Sequence, residues 1–140
     1  MHRNEAVALD VNGIYATEIF TRETENIIRS HDKTKPLFID LSHMAVHAGK
    51  DGTLVEVEDE AANNKTFGFI QDPQRRRMAG AMASLDESVG RVVKALADRG
   101  MMDNTIIIFI ADNGGETLGM HSNAASNYPL RGVSRYNIPF

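Results

Sequence analysis

The sequence has no cysteine among its 140 residues. Disulfide bonds and thiolate chemistry are therefore excluded within these residues, although this absence does not identify a cellular compartment. No apolar run approaches the roughly 18 residues needed to cross a bilayer. The N-terminal stretch MHRNEAVALD is too polar for the apolar core of a signal peptide. The chain is therefore expected to carry no membrane span and no signal peptide of its own.

Basic residues are also few and scattered. Fifteen Lys and Arg residues stand against 19 Asp and Glu residues, which gives a formal charge of −4. The run Arg75-Arg76-Arg77 is expected to be the solvated first turn of a helix. No basic stripe with interleaved aromatic residues appears, which argues against a nucleic-acid partner. A hydrophobic content of 42% and a length that fits one domain indicate an ordinary globular protein.

Two segments have the apolar spacing of amphipathic helices. The first covers residues 17–31, with apolar side chains towards one side at Ile19, Phe20, Ile27 and Ile28. The second begins at Asp72-Pro73, an N-cap followed by a proline in the first turn, and stops near Gly100. Its apolar residues recur every three or four positions and are expected to form core: Met78, Met82, Leu85, Val89, Val92, Val93 and Leu96.

Two short apolar segments, 37–41 and 105–111, are predicted to be strands. With the long helix between them they form a βαβ unit, so the strands should be parallel and the crossover right-handed. Residues 106–110 do not alternate with polar residues, which predicts cover on both faces and neighbours on both edges. The fold class is therefore α/β, and the segment resembles the middle of a larger sheet.

Residues 42–71 are predicted to form a long loop of the kind that is usually functional or disordered. The tripeptide Asn64-Lys65-Thr66 lies in this loop and matches the N-glycosylation sequence, which is weak evidence for a secreted glycoprotein because such tripeptides are common by chance.

The tetrapeptide Asp112-Asn113-Gly114-Gly115 follows the second predicted strand. A carboxylate and an amide oxygen are hard donors that suit Ca²⁺ or Mg²⁺, and glycines let the backbone approach an ion or anion closely. The same four residues also suit a tight turn. Their position at the carboxyl end of a buried parallel strand favours a site, because open α/β folds bind ligands there.

Three further residues are candidates for chemistry. His47 lies beyond the same sheet edge and could donate a hydrogen bond or a proton to an anion. His43 is expected to be merely solvated, and its spacing from His47 does not predict zinc because no third ligand follows. Arg131, in the stretch NYPLRG, could clamp an oxyanion or pair with a surface acid, and both interpretations remain open.

In chain order these pieces resemble the sulfatase family, most closely its arylsulfatase B-like branch. The matching stretches are GIYATEIFT at 13–21, KPLFIDLSHMAVHAG at 35–49, the segment from FIQDPQ to DNGG at 69–115, and NYPLRG at 127–132. The resemblance implies that residues 1–140 are part of an N-terminal-type catalytic domain of the alkaline-phosphatase kind. Such a domain hydrolyses sulfate esters with a formylglycine nucleophile, made from the cysteine of a C-x-P-x-R motif, and a calcium ion.

The resemblance also implies roles for individual residues. Asp112 and Asn113 look like two of the calcium ligands, and His47 looks like the histidine that contacts the sulfate or protonates the leaving oxygen. Three family features are missing: the nucleophile cysteine, the paired aspartates near the N-terminus, and a lysine where Ser134 stands. Both ends therefore look truncated. The chain alone is expected to be inactive and to hold an incomplete calcium site.

The expected substrate is a sulfated small molecule or glycan, including sulfated glycosaminoglycans, and the parent is expected in the lysosome or outside the cell. Two alternatives remain open. A phosphatase or phosphodiesterase of the same superfamily would need more Asp and His ligands for a two-metal site. A non-catalytic fragment could bind a sulfated ligand, or associate with a partner through exposed sheet edges.

Overall fold

The computed structural model of the chain describes residues 1–49, 55–117 and 122–130. The chain divides into two compact units. The first consists of Met1–Met44 with Leu85–Thr105, and the second of Ala45–Ser84 with Ile106–Phe140. None of the helices in the described ranges is both long and apolar enough to cross a membrane.

A short β-hairpin opens the first unit. Strand β1, His2–Arg3, pairs antiparallel with strand β2, Ala6–Val7, so that His2 lies opposite Val7 and Arg3 opposite Ala6. The turn passes through Asn4, whose φ of 54° lies in the left-handed region that asparagine tolerates better than most residues. The sequence does not predict these strands, because two residues are too few to show an alternating pattern.

Helix α1, Ala16–Ser30, confirms the helix predicted over residues 17–31. Its buried positions include threonines as well as isoleucines: Thr17, Thr21, Thr24, Ile19 and Ile28. The hydroxyl of Thr21 donates to the carbonyl of Thr17 at 2.6 Å, so the helix buries this polar group with a partner. Ile27, predicted on the same side, is 47% exposed.

Helix α3, Pro73–Asp98, begins and ends where the sequence predicts. The carboxylate of Asp72 accepts hydrogen bonds from the second and third helical N–H groups at 2.8 and 3.0 Å, as an N-cap does. At the other end Gly100 has a φ of +62°, and the N–H of Met101 donates to the carbonyl of Leu96 at 2.9 Å. This is a Schellman ending, in which glycine adopts the left-handed conformation at no steric cost.

The predicted apolar stripe of α3 is confirmed in part. Leu85 and Leu96 are buried, but Met82 is 46% exposed. The small residues Ala81 and Ser88 are 0% and 2% exposed, so they occupy the closest contacts of the helix. Hydrophobic spacing finds the buried side of a helix, but it undercounts small residues that permit close approach.

The core of the first unit lies between α1 and the C-terminal part of α3. Ile28, Ala95 and Leu96 form its buried centre. Half-buried apolar side chains pack against this centre: Leu37, Ile39, Val92, Met101 and Met102. Each fully buried aliphatic side chain contributes about 1.5–3 kcal/mol, so this cluster is the main apolar contribution to the stability of the unit.

Arg91 connects α3 to α1 by ion pairs. Its guanidinium nitrogens lie 2.5 Å from Oε2 of Glu18 and 2.8 Å from Oε2 of Glu25. Hydrogen bonding from Arg91 is the main reason that the pKa of Glu25 lies below its ordinary value of 4.5. The side chains are 29%, 27% and 12% exposed for Arg91, Glu18 and Glu25, so these pairs are screened less than surface pairs.

The predicted parallel βαβ core is wrong for the described part of the chain. Residues 37–41 and 105–111 belong to no strand there, and the sheet that the described residues contain is the β1–β2 hairpin. A buried parallel strand needs hydrogen-bonding neighbours on its edges and cover on both faces, and the described residues supply neither. The side chains of residues 106–110 are consequently between 49% and 89% exposed.

The segment 37–41 nevertheless keeps the alternation of a strand. Leu37 and Ile39 are half-buried against the α1–α3 core, whereas Phe38 is 90% exposed. One side of the segment therefore packs within the first unit, and the other carries a large apolar residue towards solvent.

The predicted loop over residues 42–71 is also wrong in part, because it contains helix α2, Glu60–Phe67. Asp59 caps this helix by accepting from the N–H groups of the second and third helical residues at 2.8 and 2.9 Å. Glu60 pairs with Arg77 of α3 at 3.0 Å. The tripeptide Asn64-Lys65-Thr66 thus lies on an exposed helical surface rather than in a loop. A single-turn 3-10 helix, Met102–Asn104, completes the regular structure of the described residues.

Candidate metal and substrate site

Asp112 and Asn113 are both exposed, at the start of a turn that leads into the glycine pair. The Oδ1 atom of Asp112 accepts a hydrogen bond from the backbone N–H of Asn113 at 2.8 Å. The side-chain Nδ2 of Asn113 donates to the carbonyl of Gly114 at 2.8 Å, so its amide oxygen faces away from that contact. Contacts with the adjacent backbone therefore hold both side chains, which stay exposed.

Gly115 is held by the side chain of Asn127. The Gly115 N–H donates to Oδ1 of Asn127 at 2.8 Å, and Nδ2 of Asn127 donates back to the Gly115 carbonyl at 2.8 Å. One carboxamide therefore satisfies both polar groups of a single residue, in the way that a neighbouring strand would. A β-carbon at Gly115 would lie 2.4 Å from the Cβ of Ala125, so glycine is required here by close approach.

Asn123 links this turn region to the segment that carries His47. Its side-chain Nδ2 donates to the carbonyl of Val46 at 3.1 Å, and its backbone N–H donates to the carbonyl of Glu116 at 3.1 Å. Its Oδ1 accepts from the N–H of Ala125 at 3.1 Å. Asn123 is 8% exposed, so it is a buried amide whose two side-chain ends both have partners.

His47 is exposed and belongs to the same compact unit as Asp112 and Asn113. Its Nδ1 lies 2.8 Å from the carbonyl of Ala48. Since a carbonyl oxygen can only accept, Nδ1 carries the hydrogen in this arrangement and the neutral ring keeps its lone pair at Nε2.

His43 differs from its predicted state, because it is not merely solvated. Its Nε2 lies 3.1 Å from Oγ of Ser88, which in turn shares a hydrogen bond of 2.6 Å with the hydroxyl of Thr21. Its Nδ1 is buried without a hydrogen-bond partner, and burial lowers the pKa of the ring from the ordinary 6.5. His43 therefore belongs to the α1–α3 contact of the first unit, while His47 belongs to the second unit.

The described geometry does not test two of the sequence predictions, the role of Arg131 and the calcium site. Arg131 lies outside the described residues, so its two interpretations stay open. No group of three or more His, Asp or Glu side chains that could hold a metal ion occurs in ranges 1–49, 55–117 and 122–130. The described residues thus bring Asp112 and Asn113 together as neighbours, but they do not assemble a full coordination shell.

A protein-family model described as "Sulfatase" matches residues 2–140. The chain belongs to the sulfatase family. The resemblance seen in the sequence is thereby confirmed at the level of the family.

Similarity to individual sulfatases extends over most of the chain. Arylsulfatase J of Mus musculus is 35% identical over 133 residues, which cover 94% of this chain and 20% of that protein. N-acetylgalactosamine-6-sulfatase of Homo sapiens is 26% identical over 118 residues, covering 81% of this chain and 19% of that protein. The chain therefore spans about a fifth of the length of the curated sulfatases that it matches.

A solved structure titled "Crystal structure of Ps i-CgsB" matches with a TM-score of 0.69 and 32% sequence identity. The match covers 84% of this chain and 24% of that chain. The described residues of this chain contain helices and one small sheet.

Asn123 and Asn127 are the site-region residues that the sequence does not predict. They lie near the motif NYPLRG, but an asparagine in a loop is normally interpreted as turn chemistry. The sequence feature that could have indicated these residues is the stretch from Ser122 to Asn127, which contains only small and amide residues. Such a composition suits close backbone contacts rather than a core.

Proposed function

We propose that this chain supplies part of the active site of a calcium-dependent sulfatase of the arylsulfatase B-like branch. The reaction is hydrolysis of a sulfate ester, with sulfated glycans such as glycosaminoglycans as the substrate class. The observation that carries the proposal is the family match over residues 2–140, a range that includes His47, Asp112 and Asn113. The parent protein is proposed to act in the lysosome or outside the cell.

The side chains of the turn offer the type of oxygen ligand that calcium prefers, but too few of them to complete its coordination shell. Asp112 offers a carboxylate and Asn113 an amide oxygen, both exposed and both hard oxygen ligands. Calcium takes about six to eight oxygens, so most of a coordination shell has to come from elsewhere. When bound, the ion supplies positive charge that stabilises the sulfate group and the nucleophile.

The residues of this chain have distinct proposed tasks. Asp112 and Asn113 hold their oxygens at the turn, where the hydrogen bonds to Asn113 N–H and from Asn113 Nδ2 fix both side chains. His47 is proposed to act through Nε2 as the acid for the departing alcohol oxygen, and its Nδ1–H contact with the Ala48 carbonyl orients the ring. No cysteine is present, so the 140 residues contain no precursor for a formylglycine nucleophile.

An assay with 4-nitrophenyl sulfate tests the proposal. The 140-residue chain should show no turnover, whereas a sulfatase polypeptide that contains these residues with a C-x-P-x-R segment should hydrolyse the ester in a calcium-dependent manner. Replacement of that cysteine by alanine provides the inactive control. Turnover by the 140 residues would contradict the proposed division of the active site, and zinc dependence of the longer protein would favour a phosphatase-type enzyme instead.

Calorimetric titration of the purified chain with Ca²⁺ tests the partial site. Two side-chain ligands cannot match even weak extracellular sites, whose dissociation constants are about 10⁻⁴–10⁻³ M. We therefore expect weak binding or none, with Asp112→Asn as the control that removes the charged ligand. Micromolar affinity in the wild-type chain would overturn the view that the shell is shared with other polypeptide.

A second candidate, a non-catalytic interaction fragment, is favoured by one observation. Five consecutive apolar side chains, residues 106–110, are between 49% and 89% exposed. A surface of this kind favours association. Sedimentation of the chain alone and titration with a sulfated oligosaccharide separate the two candidates, because an interaction fragment would associate or bind the sugar by itself, whereas one part of a divided active site would not.

A further inference from the structure

We propose that Asn123 and Asn127 are positioning residues, which set the arrangement of the Asp112–Gly115 turn and the His47 segment for sulfate ester hydrolysis. The inference rests on the proposed function, because it concerns how the same site is held. Neither asparagine is a candidate ligand or acid. Both act through the backbone of other residues.

Asn127 fixes the end of the turn that carries the oxygen donors. Its carboxamide makes a reciprocal pair of 2.8 Å hydrogen bonds with the N–H and the carbonyl of Gly115. Gly115 is three residues from Asp112 and two from Asn113, so a shift of its peptide moves the turn directly. The 2.4 Å approach that a β-carbon here would make to Ala125 shows that the two backbones meet with no spare room.

Asn123 fixes the other half of the site. Its Nδ2 hydrogen bond reaches the carbonyl of Val46, the residue immediately before His47. Its own N–H is bonded to the carbonyl of Glu116, the residue immediately after Gly115. A single buried side chain thus connects the backbone next to the candidate acid with the backbone next to the candidate metal turn, all within the second unit.

The chemistry explains why amides suit this task. A carboxamide carries both a donor and an acceptor, so it can satisfy an N–H and a C=O at once and needs no charge. An uncharged side chain also leaves the local field to the candidate calcium ligands and the substrate. An aspartate in place of Asn127 could accept a hydrogen bond from the Gly115 N–H, but its ionised carboxylate could not donate one to the Gly115 carbonyl.

The two residues predict separate kinetic signatures in the complete sulfatase that contains this chain. Asn127→Ala loosens the metal turn, so the calcium concentration that gives half-maximal activity should rise about 10- to 100-fold, the size typical when support of a ligand is removed. Asn123→Ala loosens the His47 segment. The rate should then fall more for sulfate esters of poorly acidic alcohols than for 4-nitrophenyl sulfate, whose leaving group needs little protonation.

Controls separate positioning from a general loss of folding. Asn104→Ala removes an exposed asparagine in the first unit and should change neither signature. Asn127→Asp keeps the acceptor for Gly115 N–H and is used if the alanine variant does not fold. In the 140-residue chain itself, amide hydrogen exchange at Gly115 should be protected in the wild type and faster in Asn127→Ala.

Each outcome bears on the inference. Unchanged calcium dependence and unchanged leaving-group dependence in folded, active variants would overturn the positioning role and leave the proposed function intact. A wild-type protein without sulfatase activity would overturn the proposed function and the inference with it. A Gly115 amide that exchanges equally fast in both chains would contradict the contact on which the role of Asn127 depends.

Discussion

The two units of the chain are stabilised by different kinds of interaction. In the first, Ile28, Ala95 and Leu96 form a closed apolar centre beside the ion pairs of Arg91. In the second, amide side chains hold the segments around the candidate site, and residues 106–110 expose their apolar side chains. In the first unit, packing of α1 against α3 forms an apolar core. The segments that carry the candidate site are instead held in place mainly by polar contacts.

The largest effect on stability is expected from Ile28→Ala. Ile28 is 0% exposed at the centre of the first unit, and truncation of such a residue lowers the free energy of unfolding by about 2–5 kcal/mol. Ile27→Ala, one position along the same helix but 47% exposed, is the matched control and should cost less than about 1 kcal/mol. Urea unfolding measures both. Equal losses would mean that the apolar centre is not what stabilises the first unit.

Arg91→Met should lower the free energy of unfolding by about 1–3 kcal/mol at neutral pH, because it removes hydrogen bonds to two carboxylates. The effect depends on pH. The pKa of Glu25 is depressed by Arg91, so its contribution is fully present above its ordinary value of 4.5 and is lost as the pH falls below that value. The difference between wild type and variant should therefore shrink as the pH falls below 4.5.

Lys94→Met serves as the control for Arg91. Lys94 pairs with Asp98 at 2.7 Å, but the two side chains are 72% and 62% exposed. Such a pair contributes about 0.3–0.5 kcal/mol. A loss as large as that of Arg91→Met would show that partial burial does not distinguish the two pairs.

Two glycines of α3 provide a test inside the second unit and a control in the first. A β-carbon at Gly80 would lie 2.0 Å from Oδ1 of the buried Asn63, whereas one at Gly90 meets nothing within 4 Å. Gly80→Ala should therefore lower the free energy of unfolding by about 1–3 kcal/mol. Gly90→Ala should raise it by up to about 1 kcal/mol, because alanine favours the helix. Thermal unfolding distinguishes these opposite signs, and stabilisation by both would refute the close α2–α3 contact.

The smallest effect is expected from His43→Asn, below about 1 kcal/mol. Burial lowers the pKa of His43, so the unfolded chain binds a proton at a higher pH than the folded chain does. The wild type should therefore lose stability as the pH falls below 6.5, and the variant should lose less over the same range. Unfolding curves at several pH values measure the slope, with His2→Asn, an exposed histidine, as the control. If the free energy of unfolding of His43→Asn depends on pH as steeply as that of the wild type, His43 is not the group responsible for the pH dependence.

Sequence alone predicts helices α1 and α3 well, but it does not predict helix α2 or the sheet. The bounds of α3 follow from Asp72 and Gly100, since a carboxylate that caps N–H groups and a glycine with positive φ act locally. Strand pairing is not local. The apolar run 105–111 has the composition of a buried strand, but composition cannot supply the neighbours that would pair with it.

The candidate site shows the same limit. The roles of His47, Asp112 and Asn113 remain predictions, because residue type and order suggest ligands while the complete shell depends on distant contacts. Asn123 and Asn127 were missed for the opposite reason. Their identity is ordinary for a loop, and their importance comes from the carbonyls and N–H groups that they reach, which spacing does not reveal.

The exposed apolar segment from Ile106 to Ile110 is expected to favour self-association of the chain. Recovery of soluble protein then depends on whether folding is faster than this association. The backbone of this segment makes no hydrogen bond to other described residues, and its side chains carry no charge. Segments of this composition pair readily with identical copies. The rate of aggregation rises with protein concentration because it requires two chains to collide, whereas the rate of folding of a single chain does not depend on concentration. Dilution during preparation should therefore increase the yield of soluble protein.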